Sequence, residues 1–164
     1  NNYHPLLDTI HLAAQKRPPV VALIAGDGEL RAELEAYAAQ LKVADRVRFL
    51  GWRRDLDTIY GATDVFVLTS RNEGTPVALI EAMASAVPGV ATDVGGVRDV
   101  ITSEDVGARV PNGDAAALAD AITRYLADAA VRRRAGEQAR RSVLERYSLD
   151  RLVRDIEQVY RDLL

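Results

Sequence analysis

Val65-Phe66-Val67-Leu68-Thr69-Ser70-Arg71-Asn72-Glu73-Gly74-Thr75-Pro76-Val77-Ala78-Leu79-Ile80-Glu81-Ala82-Met83-Ala84 reads as a strand, a loop and a helix in immediate succession. The four opening residues form an apolar run of the kind a buried strand needs. Gly74 permits close backbone approach or a positive φ, Thr75 is a candidate N-cap, and Pro76 fits the first helical position. From Pro76 to Val87 the only ionisable side chain is Glu81, and a helix that is apolar all round is a buried helix. A lone buried carboxylate costs on the order of several kcal/mol unless it is paired. Nothing near it in sequence offers a partner, so a bound ligand becomes the candidate. A helix that starts directly after a strand turns free N–H groups and the positive end of its dipole toward the loop, which makes an anion site. Glu73 stands just before that site, and Glu81 lies roughly 7–8 Å further along at 1.5 Å per residue. The spacing suits a folded-back ligand, with a diphosphate at the helix tip and hydroxyl-rich groups near each carboxylate.

Outward from this segment, strands and helices alternate. Helices are predicted at Tyr3–Lys16, with Leu6, Leu7, Ile10 and Ala14 facing inward, at Glu29–Leu41, near Leu56–Tyr60, and near Val97–Ile101. Strands are predicted at Val20–Ala25, Val47–Leu50, Asp64–Leu68, Gly89–Thr92 and Ala108–Val110. The continuous apolar run Val20–Ala25 implies a strand buried on both faces. Ala115–Ala127, Val131–Tyr147 and Leu149–Leu164 read as three closing helices. Such alternation implies an α/β fold, a Rossmann-like, doubly wound parallel sheet with extra C-terminal helices, in one domain spanning 1–164. Ligands in these sheets bind beyond the strand C-termini. Gly26–Gly28, Gly51–Trp52, Ser70–Thr75 and Asp93–Gly96 all fall there.

Taken together, Ile24-Ala25-Gly26-Asp27-Gly28-Glu29-Leu30, Val47-Arg48-Phe49-Leu50-Gly51, the E-x7-E pair Glu73 and Glu81, and Ala91-Thr92-Asp93-Val94-Gly95-Gly96 resemble retaining GT-B glycosyltransferases of the group 1 (family 4) type. The resemblance covers nearly the whole chain and implies the C-terminal, donor-binding half of such an enzyme. It implies that Glu73 faces the transferred sugar near its reacting carbon, the other reading being a solvated or helix-capping loop acid, and that Glu81 accepts hydrogen bonds from the ribose, the other reading being a structural bridge to an arginine. Gly74 and Thr75 would offer N–H groups, and Thr75 a hydroxyl, to the diphosphate at the helix start with Pro76. Val77 is a candidate nucleotide contact, with core packing as the other reading. Gly26 and Gly28 lie at a βα turn where a ligand can approach closely, although a tight turn alone explains them. Phe49, Gly51 and Trp52 correspond to the segment that borders the base, and for Trp52 simple packing is the competing reading. The expected ligand is a nucleotide-sugar such as a UDP- or GDP-sugar, with no cofactor and no required metal.

The remaining features exclude more than they assign. The chain has 164 residues, a net charge of −3 and no cysteine, so nothing pulls it toward nucleic acid and no disulfide or thiolate zinc site is available. Arg31 stands where a dinucleotide fingerprint would need its third glycine, which weakens an NAD reading. Asp55-Leu56-Asp57 looks like a metal-binding D-x-D, but it opens a short helix, where acids satisfy N–H groups. His4 and His11 share a helix face and are too few for a metal site. The Arg132-Arg133-Arg134 and Arg140-Arg141 clusters read as a solvated face, with an anionic membrane as the minor alternative. Neither a P-loop nor a Gly-x-Ser-x-Gly elbow occurs. Where the family has a small pair such as Cys-Gly before Val-Pro, this chain has Ser85-Ala86, and Gly89 replaces the usual β-branched strand residue.

The resemblance therefore implies a parent enzyme that moves a sugar from a nucleotide-sugar to a hydroxyl acceptor with retention. The first strand, the Arg and Lys that grip the diphosphate, and the N-terminal acceptor domain are expected to be missing, which leaves a half that is not catalytic alone. An uncovered interdomain face makes a homodimer a further expectation. A cytoplasmic location, or a peripheral one at the inner membrane face, is expected. Only Lys16 and Lys42 interrupt an otherwise all-Arg set of 21 basic residues, which suggests a GC-rich bacterial genome. The alternatives are a nonhydrolysing UDP-sugar 2-epimerase-like isomerase and a non-catalytic binding module.

Overall fold

The computed structural model describes residues 3–16 and 19–163. Helix α1 (Tyr3–Ala14) leads to β1 (Ala22–Ala25), α2 (Arg31–Gln40), β2 (Val47–Gly51), α3 (Leu56–Gly61), β3 (Phe66–Leu68), α4 (Val77–Ala84), β4 (Gly89–Thr92), α5 (Val97–Val100) and β5 (Gly107–Val110). Three helices follow: α6 (Ala115–Ala127), α7 (Ala129–Tyr147) and α8 (Leu149–Leu163). The predicted order is the observed one. Ends move by a few residues, and Leu164 lies outside the described residues.

Every strand pair is parallel, as strands joined through helices must be. The sheet is in two parts, β1 beside β2 and β3-β4-β5. In the larger part both faces are covered. Ala91 packs with Leu79 and Met83 of α4, Val97 and Val100 of α5, and Ala139 and Val143 of α7. On the opposite face Val90 packs with Leu118, Ile122 and Tyr125 of α6. All four residues of β4 are buried as a result. The smaller part differs. Ile24 and Val47 pack with Leu7, Ile10 and Ala13 of α1 and Leu34 and Ala38 of α2. Ala13, not Ala14, is the fully buried end of the α1 face. Ala119 of α6 joins the same cluster and so ties the two parts together.

One reading fails here. The run Val20–Ala25 is not buried on both faces: Val21 is 62% and Leu23 42% exposed. Helices α1 and α2 cover the side of Ile24, and neither of the other two residues joins a core cluster. Gly89, where the family has a β-branched residue, is matched to its neighbour instead: a Cβ there would stand 2.4 Å from Leu79 Cδ1, so a larger residue would need the buried Leu79 side chain to shift.

The arginine clusters are only partly a solvated face. Arg132 reaches Asp64 at 3.1 Å and Tyr125 O at 3.0 Å, and Arg140 donates to Ala84 O at 2.7 Å, so both fasten α7 to the domain. Gly136 lets α7 approach the α4 terminus, since a Cβ there would lie 2.0 Å from Ala86 O. Helix α8 does not close the structure: Leu152, Val153, Ile156, Tyr160 and Leu163 are all exposed. His4 pairs with Glu33 at 3.0 Å, while His11 Nδ1 meets Leu41 O at 2.9 Å, so the two rings answer to separate structural partners.

Candidate functional site

Glu73 lies in the loop beyond the C-terminal end of β3, half-buried. Ser70 Oγ donates to its Oε1 at 2.5 Å. Thr92 Oγ1, at the end of β4, donates to Ser70 O at 2.6 Å, so the loop after β3 is held to the neighbouring strand. The Gly96 N–H donates to Glu73 O at 3.0 Å. A Cβ on Gly95 would fall 2.0 Å from Glu73 O, and one on Gly96 1.8 Å from Gly74 O. Two adjacent glycines are therefore what allows the loop after β4 to lie against the Glu73–Gly74 backbone. Asp93 opens that loop. Arg98 grips it with two donors at 2.9 and 3.2 Å, and Arg109 stands 3.4 Å away. The Arg98 hydrogen bonds hold the Asp93 carboxyl below the usual carboxylate range.

Helix α4 departs from its predicted cap. Pro76, not Thr75, occupies the N-cap position, and no side chain caps the helix. The Val77 N–H donates to Thr75 O at 2.9 Å. Gly74 does not use a positive φ, and the space beside its Cα is open to 4 Å. Thr75 is exposed beside it, Pro76 is buried, and Val77 is 58% exposed, so core packing does not account for Val77. The helix is buried on one side only, through Leu79, Ala82 and Met83.

Glu81 lies on the exposed side, which overturns its reading as a buried lone carboxylate. It also has a protein partner, since Tyr60 Oη donates to its Oε2 at 3.0 Å. Burial first, and the Glu81 hydrogen bond second, push the Tyr60 hydroxyl up to about 12. Each glutamate thus accepts one hydroxyl and keeps further lone pairs for a ligand.

The other predicted residues gather at the ends of β1 and β2. Gly26, at φ +127°, donates its N–H to Gly51 O at 2.8 Å, and Gly51 itself has φ +66°. The two turns are therefore clasped, in conformations that favour glycine. Gly28 donates its N–H to Asp27 Oδ1 at 3.0 Å, and nothing lies within 4 Å of the position its Cβ would take. Phe49 is partly buried against the α1–α2 cluster. Trp52 is 75% exposed, so it is not packed into the core. Arg53 forks onto Asp55 at 2.8 and 2.5 Å, and Asp55 makes no capping bond to α3, contrary to expectation.

Sequence reasoning missed Ser70 and Tyr60 as partners of the glutamates. Ser70 stands three residues before Glu73, within reach along the same loop. Tyr60 stands 21 residues before Glu81, and no local pattern connects them.

The family model for glycosyl transferases of group 1 matches residues 1–142. The chain belongs to the group 1 glycosyltransferases. It is 34% identical over 142 residues to the N-acetyl-alpha-D-glucosaminyl L-malate synthase of Bacillus anthracis, covering 87% of this chain and 37% of that one. It is 37% identical over 144 residues to the lipopolysaccharide core biosynthesis mannosyltransferase LpcC of Rhizobium leguminosarum bv. viciae, covering 84% and 41%. Among solved structures it is similar to Anabaena Alr3699/HepE in complex with UDP, with a TM-score of 0.90 and 25% identity over 97% of this chain and 44% of that one. The fold of this glycosyltransferase chain is accordingly the GT-B type, and the chain spans about two fifths of the length of the curated relatives it matches. No described helix is long and apolar enough to cross a membrane.

Proposed function

We propose that this glycosyltransferase chain binds the nucleotide-sugar donor of a retaining enzyme, and that the acceptor is bound by polypeptide outside these residues. The observation that carries the proposal is the placement of two hydroxyl-held carboxylates on either side of the start of α4, beyond the C-terminal end of β3. Glu73 orients the transferred sugar and supports positive charge at its anomeric carbon. Glu81 accepts the ribose hydroxyls. The diphosphate lies between them, at Gly74–Val77, where backbone donors and the helix dipole stabilise the charge of the departing group. This chemistry invokes no resident metal and no protein base on this half. The base of the nucleotide lies toward the clasp of Gly26 and Gly51, with Trp52 exposed at its edge. The UDP held by HepE, a similar fold, supports a nucleoside diphosphate as the ligand.

The test is calorimetric titration of the 164-residue chain with UDP and GDP. Binding of at least one is expected, and Glu81→Ala is expected to weaken it by about ten- to a hundredfold, the effect of losing one hydrogen bond or more to a charged group. Failure of both nucleotides to bind would sink the proposal. Sugar transfer by this chain alone is not expected, and turnover would show that the acceptor site does not lie elsewhere.

A further inference from the structure

Glu81 is the exposed end of a flexible side chain, and its own helix does little to fix it. Ser85, one turn on, donates to the Glu81 carbonyl at 3.0 Å rather than to the carboxylate. The carboxylate is instead met from α3, by Tyr60 Oη at 3.0 Å from Oε2. Tyr60 is a rigid support. It is 8% exposed, it packs with Ala82 and Val87, and its ring stands edge-on to Phe66 of β3 at 6.2 Å and 64°. The same hydroxyl lies 3.4 Å from Ala78 O. A phenol has one proton, and the nearer, charged acceptor takes it. The proton is held, moreover, because burial and the Glu81 hydrogen bond push the hydroxyl up to about 12, far above neutral pH. The donor is therefore fixed in place and always present, while the acceptor is a carboxylate that would otherwise turn freely in solvent.

Recognition of a vicinal diol needs a carboxylate in one orientation, because two O–H donors at a fixed spacing must reach it together. We infer that Tyr60 is a positioning residue for the nucleotide: its hydroxyl holds the Glu81 carboxylate in the orientation that receives the ribose diol. The inference rests on the reading of Glu81 as the ribose acceptor. Tyr60 acts through Glu81 and does not itself touch the ligand. Its effect is thus confined to the part of the binding energy that depends on the ribose hydroxyls.

The experiment compares the 164-residue chain with Tyr60→Phe, Glu81→Gln and the double variant. UDP, GDP and their 2′-deoxy forms are titrated calorimetrically, alongside melting curves. Tyr60→Phe keeps the ring and its packing. It is expected to weaken the ribonucleotide roughly tenfold, close to the lower end of the worth of one hydrogen bond to a charged group, and the 2′-deoxynucleotide less than about twofold. The preference for ribose therefore shrinks. In the Glu81→Gln background the same change is expected to have no further effect on that preference. Equal weakening of both ligands would overturn the inference by showing a purely structural role, as would an unchanged preference in Tyr60→Phe. In both cases a loss of ribose preference in Glu81→Gln would leave the donor-site reading standing. If Glu81→Gln also leaves the preference intact, or no nucleotide binds the wild type, that reading fails and the role of Tyr60 fails with it.

Discussion

Strands β1 and β4 are both short, apolar and parallel to their neighbours, yet they end in opposite surroundings. All four residues of β4 are buried, whereas β1 buries only Ile24 and leaves Leu23 42% exposed. The exposed strand is, if anything, the more apolar: Ala22-Leu23-Ile24-Ala25 against Gly89-Val90-Ala91-Thr92. The difference lies in the cover. Helices α4, α5 and α7 lie against one face of β4 and α6 against the other, while α1 and α2 cover one face of β1. Apolar sequence states what a strand is able to bury, and the number of helices packed on it decides what it does bury. The candidate carboxylates and the α4 tip belong to the doubly covered part, where backbone positions are fixed most closely.

The largest break in this contrast should come from Leu79→Ala. Leu79 is fully buried between α4 and β4. Its truncation removes transfer energy and leaves a cavity, at a cost of about 2–5 kcal/mol. For a domain of this size that lowers the melting temperature by roughly 10 °C. Urea denaturation followed by circular dichroism checks it. A loss below about 1 kcal/mol would mean that the α4–β4 contact is slack. The contact also has an internal control: Gly89→Ala, which collides with Leu79 in the wild type, should restore part of the loss when combined with Leu79→Ala.

Much of this architecture was legible, for a physical reason that also sets the limit. Helix α6 spans the predicted Ala115–Ala127, because its apolar positions recur at the helical period and Asp114 caps it through the Ala117 N–H at 2.8 Å. The order of elements, the parallel sheet and the turns beyond the strand C-termini follow from such local signals. What escaped were relations between distant segments. The partner of Glu81 comes from another helix, so from the sequence alone an apolar helix with one acid reads as a buried one. The uncovered side of β1 and of α8 is likewise invisible to a hydrophobicity pattern, which cannot tell a covered face from a bare one. The glycine pair Gly95-Gly96 was visible as a loop, but its tight approach to Glu73 O and Gly74 O needed three dimensions.

A smaller effect, opposite in sign, is expected at the end of α4. The Ala86 N–H donates to Met83 O at 3.0 Å and the Val87 N–H to Ala82 O at 3.1 Å, the paired bonds of a Schellman termination. Ala86 sits at φ +61°, where an L side chain is strained by about 1–2 kcal/mol. This is the position where the family resemblance places glycine. Ala86→Gly relieves the strain but adds freedom to the unfolded chain, for a net gain of roughly 0.5–1 kcal/mol. Denaturant midpoints should rise with the slope unchanged. A fall would show that the Ala86 methyl makes contacts worth more than its strain.

The smallest effect is expected where the same chemistry as Leu79→Ala is repeated in the other part of the sheet. Leu23→Ala removes the same atoms from β1, but Leu23 joins no core cluster and is 42% exposed, whereas Leu79 is fully buried. With no enclosed cavity to leave and part of the side chain already in water, the cost should stay within about 0.5 kcal/mol. Measured in the same urea titration, the ratio of the two Leu→Ala costs becomes a direct reading of how differently the two strands are covered. If Leu23→Ala proves as costly as Leu79→Ala, something covers that face in solution. Repeating the titration at two protein concentrations then identifies it, because cover supplied by a second copy weakens on dilution, whereas cover supplied by the chain itself does not.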